Sequence, residues 1–281
     1  MVFSRTLGLI SAVVATVLLP FDARAQQSAS PPSSSLELPN HCPGLVASDT
    51  PRIINAAFTP QALADGEARL TYVGHATFLI ESPKSVRIAT DYNDYVRPSV
   101  LPDIATMNHA HSSHYTDRPD PNIKFVLRGW TSDRTPAEHD LTYKDVRVRN
   151  VPTNIRDWAG GTERHGNSIF IFELAQLCIA HLGHLHHTLT PQQLNDIGKV
   201  DVVLVPVDGS YTLDLEGMME VLQALKAPLM IPMHFFGTYT LNRFLERARQ
   251  HWDVELSDTH SIVLSKATLP NTPKVLVLPG R

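Results

Sequence analysis

Three short apolar runs in this chain end in histidine, and that pairing of buried strand with imidazole constrains the fold more than any other feature. Ile104 to Asn108 leads into His109-Ala110-His111-Ser112-Ser113-His114. Leu177 to His181 leads into Leu182-Gly183-His184-Leu185-His186-His187, and Leu229 to Met233 leads into His234. Eight of the 14 histidines fall in these three places. Runs that are apolar almost throughout read as strands buried on both faces, and open α/β sheets place their sites in crevices at strand ends. The histidines are therefore expected to gather at a sheet edge. Neutral imidazole is a common zinc donor, and zinc takes a nearly tetrahedral donor set. In an extended chain residues i and i+2 share a face, so His109 and His111 can turn toward one point. The plainer reading is a histidine-rich tract without a site. For His41, His139, His251 and His260 a surface or core-satisfied ring is the better reading.

The rest of the pattern is β-rich first and mixed later. Arg69 to Val73, Thr77 to Glu81 and Val86 to Thr90 read as strands separated by turns at Gly74-His75 and Ser82-Pro83-Lys84. Ile123 to Leu127, Val146 to Arg149 and Ser168 to Leu174 continue the series. Thr190-Pro191 opens a helix to about Ile197, with an N-cap followed by proline at the first helical position. Asp201 to Val207 is another buried strand, and Leu213 to Leu225 and Tyr239 to Gln250 have helical spacing. Ile262 to Ser265 and Val275 to Leu278 return to strand. Hairpins followed by β-α units predict an α/β domain of two sheets packed face to face, with helices outside.

The N-terminus is set apart from this domain. Arg5, the apolar stretch Leu7 to Leu19 and Ala23-Arg24-Ala25 predict a signal peptide over 1–25 and cleavage before Gln26. The stretch is short of the roughly 20 apolar residues that a membrane span needs. Residues 26–60 begin with a Ser-, Pro- and Gln-rich flexible segment, which leaves 61–281 as the folded domain. The expected location is periplasmic or secreted. Net charge is −4 with scattered basic residues, so no nucleic-acid partner is expected; a small-molecule substrate is. Oligomeric state is not readable. Cys42 and Cys178 are open to disulfide pairing after export, and a buried apolar role for Cys178 is equally open.

Thr71-Tyr72-Val73-Gly74-His75-Ala76-Thr77-Phe78-Leu79-Ile80-Glu81, then His109-x-His111-x-Ser113-His114, His184 and Pro232-Met233-His234, resemble successive landmarks of the metallo-β-lactamase superfamily. The nearest branch contains ascorbate-phosphate lactonases and N-acyl phosphatidylethanolamine phospholipase D-like hydrolases. The resemblance implies a four-layer αββα sandwich with one or two zinc ions at the sheet edges. It implies His109 and His111 as ligands of a first metal and His114 and His234 as ligands of a second. His184 stands where the family has a bridging aspartate, and Ser113 where it has an aspartate that binds metal and orients water. No histidine lies near Thr153-Asn154-Ile155, where a third first-metal ligand is expected; Asn154 offers only a carbonyl oxygen. An almost purely imidazole cluster favours a single zinc.

Beside the ligands, Asp208 is the candidate catalytic base, with a simple Asp-Gly turn as its alternative. His75, Asp91, Asn154, His186 and His187 are candidates to support the ligands or to face substrate. Arg156 or Arg164 is placed to bind an anionic group. The expected activity is hydrolysis of an ester, lactone or phosphodiester by metal-bound hydroxide. The alternative is a non-catalytic member of the fold that holds metal or a small molecule. A β-lactamase fits export, but the ligand pattern resembles the lactonase branch more.

Overall fold

The computed structural model describes residues 62–108, 111–157 and 159–280. The expected signal peptide, the flexible segment, Cys42 and His109 lie outside the described residues. Along the chain run β1 (Ala68–Gly74), β2 (Thr77–Glu81), β3 (Arg87–Ala89), β4 (Ile104–Met107), β5 (Phe125–Arg128), β6 (Asp140–Tyr143), β7 (Val146–Arg156), β8 (Thr162–Leu174) and β9 (Leu177–His181). Then α1 (Pro191–Ile197), β10 (Val202–Pro206), α2 (Leu215–Leu225), β11 (Leu229–Met233) and α3 (Thr238–Ala248) alternate. β12 (Asp253–Leu256), β13 (Ser261–Leu264) and β14 (Lys274–Val277) follow.

These strands form two sheets. One has the order β13-β1-β2-β3-β4-β5, the other β12-β14-β11-β10-β9-β8-β7-β6. Alternation along each strand sends one set of side chains between the sheets and the other set outward. Leu70, Phe78, Ile80, Ile88 and Ile104 of the first sheet meet Phe170, Phe172, Ile179, Leu204 and Ile231 of the second in a buried inter-sheet core. The outward residues Ile169, Ile171, Ala180, Val203, Val205 and Met230 of the second sheet pack against Met218, Leu222 and Phe244 of the helices. The two faces together explain why β9, β10 and β11 are buried at every position. Among the described residues, all three helices contribute to this second core. The outer face of the first sheet instead meets the side chains Tyr92, Tyr115, Ile123 and Trp130 around Ala105 and Met107.

Local chemistry sets the element ends. Thr190 caps α1 by accepting from the Gln193 backbone, and the Gln193 side chain returns the bond to the Thr190 N–H. Asp214 caps α2 through Gly217 N. At the other end of α1, Arg149 donates to the carbonyls of Asp196 and Ile197 at 2.7 Å each. Glu173, buried on β8, holds Arg149 Nε at 2.8 Å and Arg147 Nη1 at 3.3 Å. Replacing Glu173 with glutamine removes the anion shared by two guanidinium groups. A loss of about 2 kcal/mol in chemical denaturation is expected, the scale of one hydrogen bond to a charged partner. Unchanged stability would show the cluster to be idle.

Candidate metal centre

Parallel pairing brings the site together. β9, β10 and β11 run parallel as neighbours, so their C-terminal ends emerge side by side. His181 ends β9 and His184 follows it, Asp208 follows β10 and His234 follows β11. In the other sheet β3 and β4 are parallel neighbours and release Asp91 and then His111 and His114. The β1–β2 turn adds His75, whose carbonyl accepts the His234 N–H at 2.7 Å and ties the sheets at this edge. His75, Asp91 and His234 all hold positive φ, at 51°, 42° and 55°. Side chains at such angles are uncommon, and they gather where a surrounding structure over-determines them.

Three buried rings converge. His114 Nε2 lies 3.1 Å from His234 Nε2 and 3.0 Å from His184 Nδ1. Behind His114, Asp91 Oδ2 receives the Nδ1 hydrogen at 2.7 Å, while Asn108 donates to Asp91 Oδ1 at 2.9 Å. Behind His234, Asp208 Oδ1 stands 3.1 Å from Nδ1. Asp208 is itself held by the backbone N–H groups of Ser210 and Tyr211 at 2.9 and 2.5 Å and by the Thr212 hydroxyl at 2.6 Å. Two imidazoles each backed by a carboxylate is the arrangement that fixes a ligating histidine's tautomer and orientation. The His75 ring lies tilted with its centroid 4.2 Å from that of His234, and its Nε2 bonds Ser113 Oγ at 3.1 Å. His75, His114 and His234 each present a nitrogen within 4.8 Å of the others.

A polar clamp fixes the third ring. Gly183, at φ 59°, leaves no room for a side chain: a Cβ there would lie 2.5 Å from both Asn108 Nδ2 and Asn167 Oδ1. Asn167 accepts the His184 N–H at 2.8 Å and donates to Thr153 Oγ1 at 2.7 Å. Asn108 accepts the Ser168 N–H at 2.9 Å, so one amide joins Asp91 to β8. His181 is spent on the fold. Its Nε2 meets the Ala76 carbonyl at 2.8 Å and its Nδ1 accepts the Gly183 N–H at 3.1 Å.

The remaining candidates divide. His111 sits at the mouth, its ring 4.7 Å from that of His184. His186 is 4.8 Å from His184, accepts the Arg156 N–H through Nδ1 at 2.6 Å, and buries Nε2 without a partner. Both nitrogens of His187 are engaged, Nε2 by Asn154 N at 3.1 Å and Nδ1 by the Thr188 carbonyl at 2.7 Å. The Asn154 side-chain oxygen is likewise taken, by His165 N at 3.1 Å. Asn108, Asn167 and Gly183 were not singled out from the sequence. Asn108 and Gly183 carry the signal of adjacency to a histidine, and Asn167 carries none.

Burial dominates the electrostatics. It pushes the His114 and His184 imidazoles well below their ordinary range, helped by the neighbouring rings. It lowers His75 to about 4, with His234 adding and Asp208 opposing. Burial raises Asp91 to about 6, against the pull of His181 and Asn108. For Asp208 burial acts upward too, but the adjacent His234 ring and the Thr212 hydroxyl prevail and hold the carboxyl well below the usual range. Burial thus favours the uncharged form of the His75, His114 and His184 rings. His114 Nε2 faces two nitrogens with one lone pair, and His184 Nε2 is buried without a partner. A tetrahedral zinc at about 2.0–2.1 Å would hold its nitrogens about 3.3 Å apart. The observed 3.0 and 3.1 Å need only a small opening. The donor set fits a divalent metal ion.

Known proteins share sequence and fold with this chain. The model of the beta-lactamase superfamily domain matches residues 69–234. The chain is 26% identical over 196 residues to a UPF0173 metal-dependent hydrolase of Methanoculleus marisnigri, covering 65% of this chain and 87% of that protein. A counterpart from Thermoplasma acidophilum is 25% identical over 196 residues, covering 62% and 86%. Among solved structures, a Thermotoga maritima protein described as a Zn-dependent hydrolase of the metallo-beta-lactamase superfamily aligns with TM-score 0.57 and 28% identity. That alignment covers 76% of this chain and all of the other. With the two-sheet architecture, the family match and the solved relatives in agreement, the chain belongs to the beta-lactamase superfamily and has the metallo-β-lactamase fold.

Proposed function

We propose that this protein is an exported zinc hydrolase that cleaves an ester, lactone or phosphodiester in a small molecule. The broader statement, a metal-dependent hydrolase of the metallo-β-lactamase fold, follows from its family and relatives. The observation that carries the finer reading is the convergence of His114, His184 and His234 with carboxylates behind two of the rings. In a site of this kind a divalent cation activates water and polarises the scissile bond. The chain's own residues set the stage for that chemistry. Asp91 orients His114, Asp208 orients His234, and the Asn167–Gly183 clamp presents His184. His75 and Ser113, hydrogen-bonded to each other at the rim, face the space where substrate enters. Asp208 is so fully engaged by the 210–212 turn that orientation of His234 suits it better than proton transfer.

Purified without added metal, the protein should contain about one zinc per chain by elemental analysis. Treatment with a strong chelator should abolish turnover of generic esters or phosphodiesters, and zinc should restore it. Zinc bound without any turnover would favour the alternative, a binding protein on the same fold. The substitution of serine for the family aspartate at 113 speaks for that alternative.

Export is supported by the N-terminal pattern of Arg5, the apolar stretch Leu7 to Leu19 and Ala23-Arg24-Ala25. Amino-terminal sequencing of the secreted or periplasmic protein should begin at Gln26. Recovery of the intact leader in the cytoplasm would refute it.

A further inference from the structure

The mouth of the metal centre is rimmed by aromatic side chains that the fold leaves in solvent. Tyr211 is 58% exposed and Phe236 60%. Tyr211 and Phe236 touch each other, with ring centroids 5.5 Å apart. Phe236 lies 5.7 Å from His75 and 5.4 Å from His234, and Tyr211 lies 6.1 Å from His111. The pair therefore stands directly over imidazoles of the site. Solvent-exposed aromatic rings grouped at a cleft are a usual sign of a binding surface.

Both rings are held in place by the scaffold. Phe236 follows β11 and the His234 turn, and its N–H is bonded to Thr240 Oγ1 at the start of α3. Tyr211 sits in the turn that Asp208 gathers. Arg156 reinforces that turn from β7, with Nη2 at 2.7, 3.0 and 2.9 Å from the carbonyls of Ser210, Tyr211 and Thr212. Its guanidinium thus builds the wall beneath Tyr211, and the anion-binding role open to it in the sequence would require breaking those contacts.

We infer that Tyr211 and Phe236 form a subsite for an apolar acyl or aryl group, so that the substrate is a neutral ester or lactone carrying such a group. This rests on the hydrolytic reading for the bond cut; the recognition of an apolar group does not. An acyl chain laid across the rings leaves water as the carbonyl reaches the histidines. Each buried methylene contributes about 0.8 kcal/mol, a factor of about four, when burial is complete.

The test uses the mature zinc-loaded protein and a series of straight-chain carboxylates from acetate to octanoate, titrated calorimetrically as product analogues. Affinity should rise about two- to fourfold per methylene over the first few carbons. The rise should flatten in Tyr211→Ser and Phe236→Ser and persist in Leu256→Ser, an exposed apolar residue on β12. In parallel, 4-nitrophenyl esters of the same acids and bis(4-nitrophenyl) phosphate are assayed for turnover. A flat affinity series, an equal slope in the rim variants, or preferred turnover of the phosphodiester would overturn the inference. A slope without turnover of any substrate would uphold the subsite and sink the hydrolytic proposal; turnover with a flat series would do the reverse. Binding of the wild type to neutral phospholipid vesicles, lost in Phe236→Ser, together with a flat series would assign the rim to a lipid surface and overturn the small-molecule subsite.

Discussion

Alanine in place of His114 should strip the protein of tightly held metal and of hydrolysis together. His114 is the ring on which the other two converge, with nitrogens of His234 and His184 at 3.1 and 3.0 Å. Even the loss of a supporting partner costs about 10–100-fold in metal affinity, so loss of the ring itself should exceed the upper figure. The substitution has a second effect. It leaves the Asp91 carboxylate buried with one of its two side-chain partners gone. Breaking a buried charged contact from one side costs about 3–5 kcal/mol.

The two effects can be separated. Asp91→Asn keeps shape and tolerates the φ of 42°, because asparagine is among the residues that enter this region most readily. It should weaken metal binding by about 10–100-fold with little loss of fold. The double variant His114→Ala with Asp91→Asn should regain part of the stability lost by the single alanine while remaining metal-free. Metal titration by competition with a chromophoric chelator, beside urea denaturation, reads both. Full metal affinity in His114→Ala would remove this ring from the centre.

The second large effect is expected at Gly183, a residue with no chemistry of its own. An alanine Cβ would meet Asn108 Nδ2 and Asn167 Oδ1 at 2.5 Å each, and the φ of 59° is strained for any side chain. The backbone conformation alone costs roughly 1–2 kcal/mol. Displacing the two amides breaks buried bonds to Asp91, Ser168 and His184, at roughly 1–3 kcal/mol for each group left unsatisfied. Gly183→Ala should therefore lose about 3–6 kcal/mol, a large part of the 5–15 kcal/mol that holds a typical domain folded. Any folded fraction should bind metal weakly, since His184 is presented by the same clamp. Loss of less than about 1 kcal/mol would mean that the loop relaxes freely and the clamp is not rigid.

Much of the architecture was readable along the chain because its signals are local. β2, β9 and β11 coincide with apolar runs, and α1 with the Thr190-Pro191 start. Where the local signal fades, so did the reading. β7 extends to Arg156 and β8 begins at Thr162, where the paired arms are polar and carry no apolar alternation. β6 and β12 are short edge strands whose side chains are mostly exposed or half-buried, so nothing in their composition distinguishes them from loops.

The same division runs through the site. Histidine placement at strand ends is written in the sequence, because one apolar run and the residues just after it are neighbours in the chain. Which rings meet is not. It depends on the parallel packing of β9, β10 and β11 and on the opposing edge of β3 and β4, which bring His114 to His234 across 120 residues of chain. Only that closure turned Asp91 and Asp208 into backing for two imidazoles and engaged Asn154 and His187 in other bonds. It also made Gly183 indispensable to a clamp of two asparagines. Residue type and local order decided which groups could bind a cation. The joining of distant strand ends decided which of them share one centre, because hydrogen-bond geometry acts over a few ångströms and leaves no periodic trace in the chain.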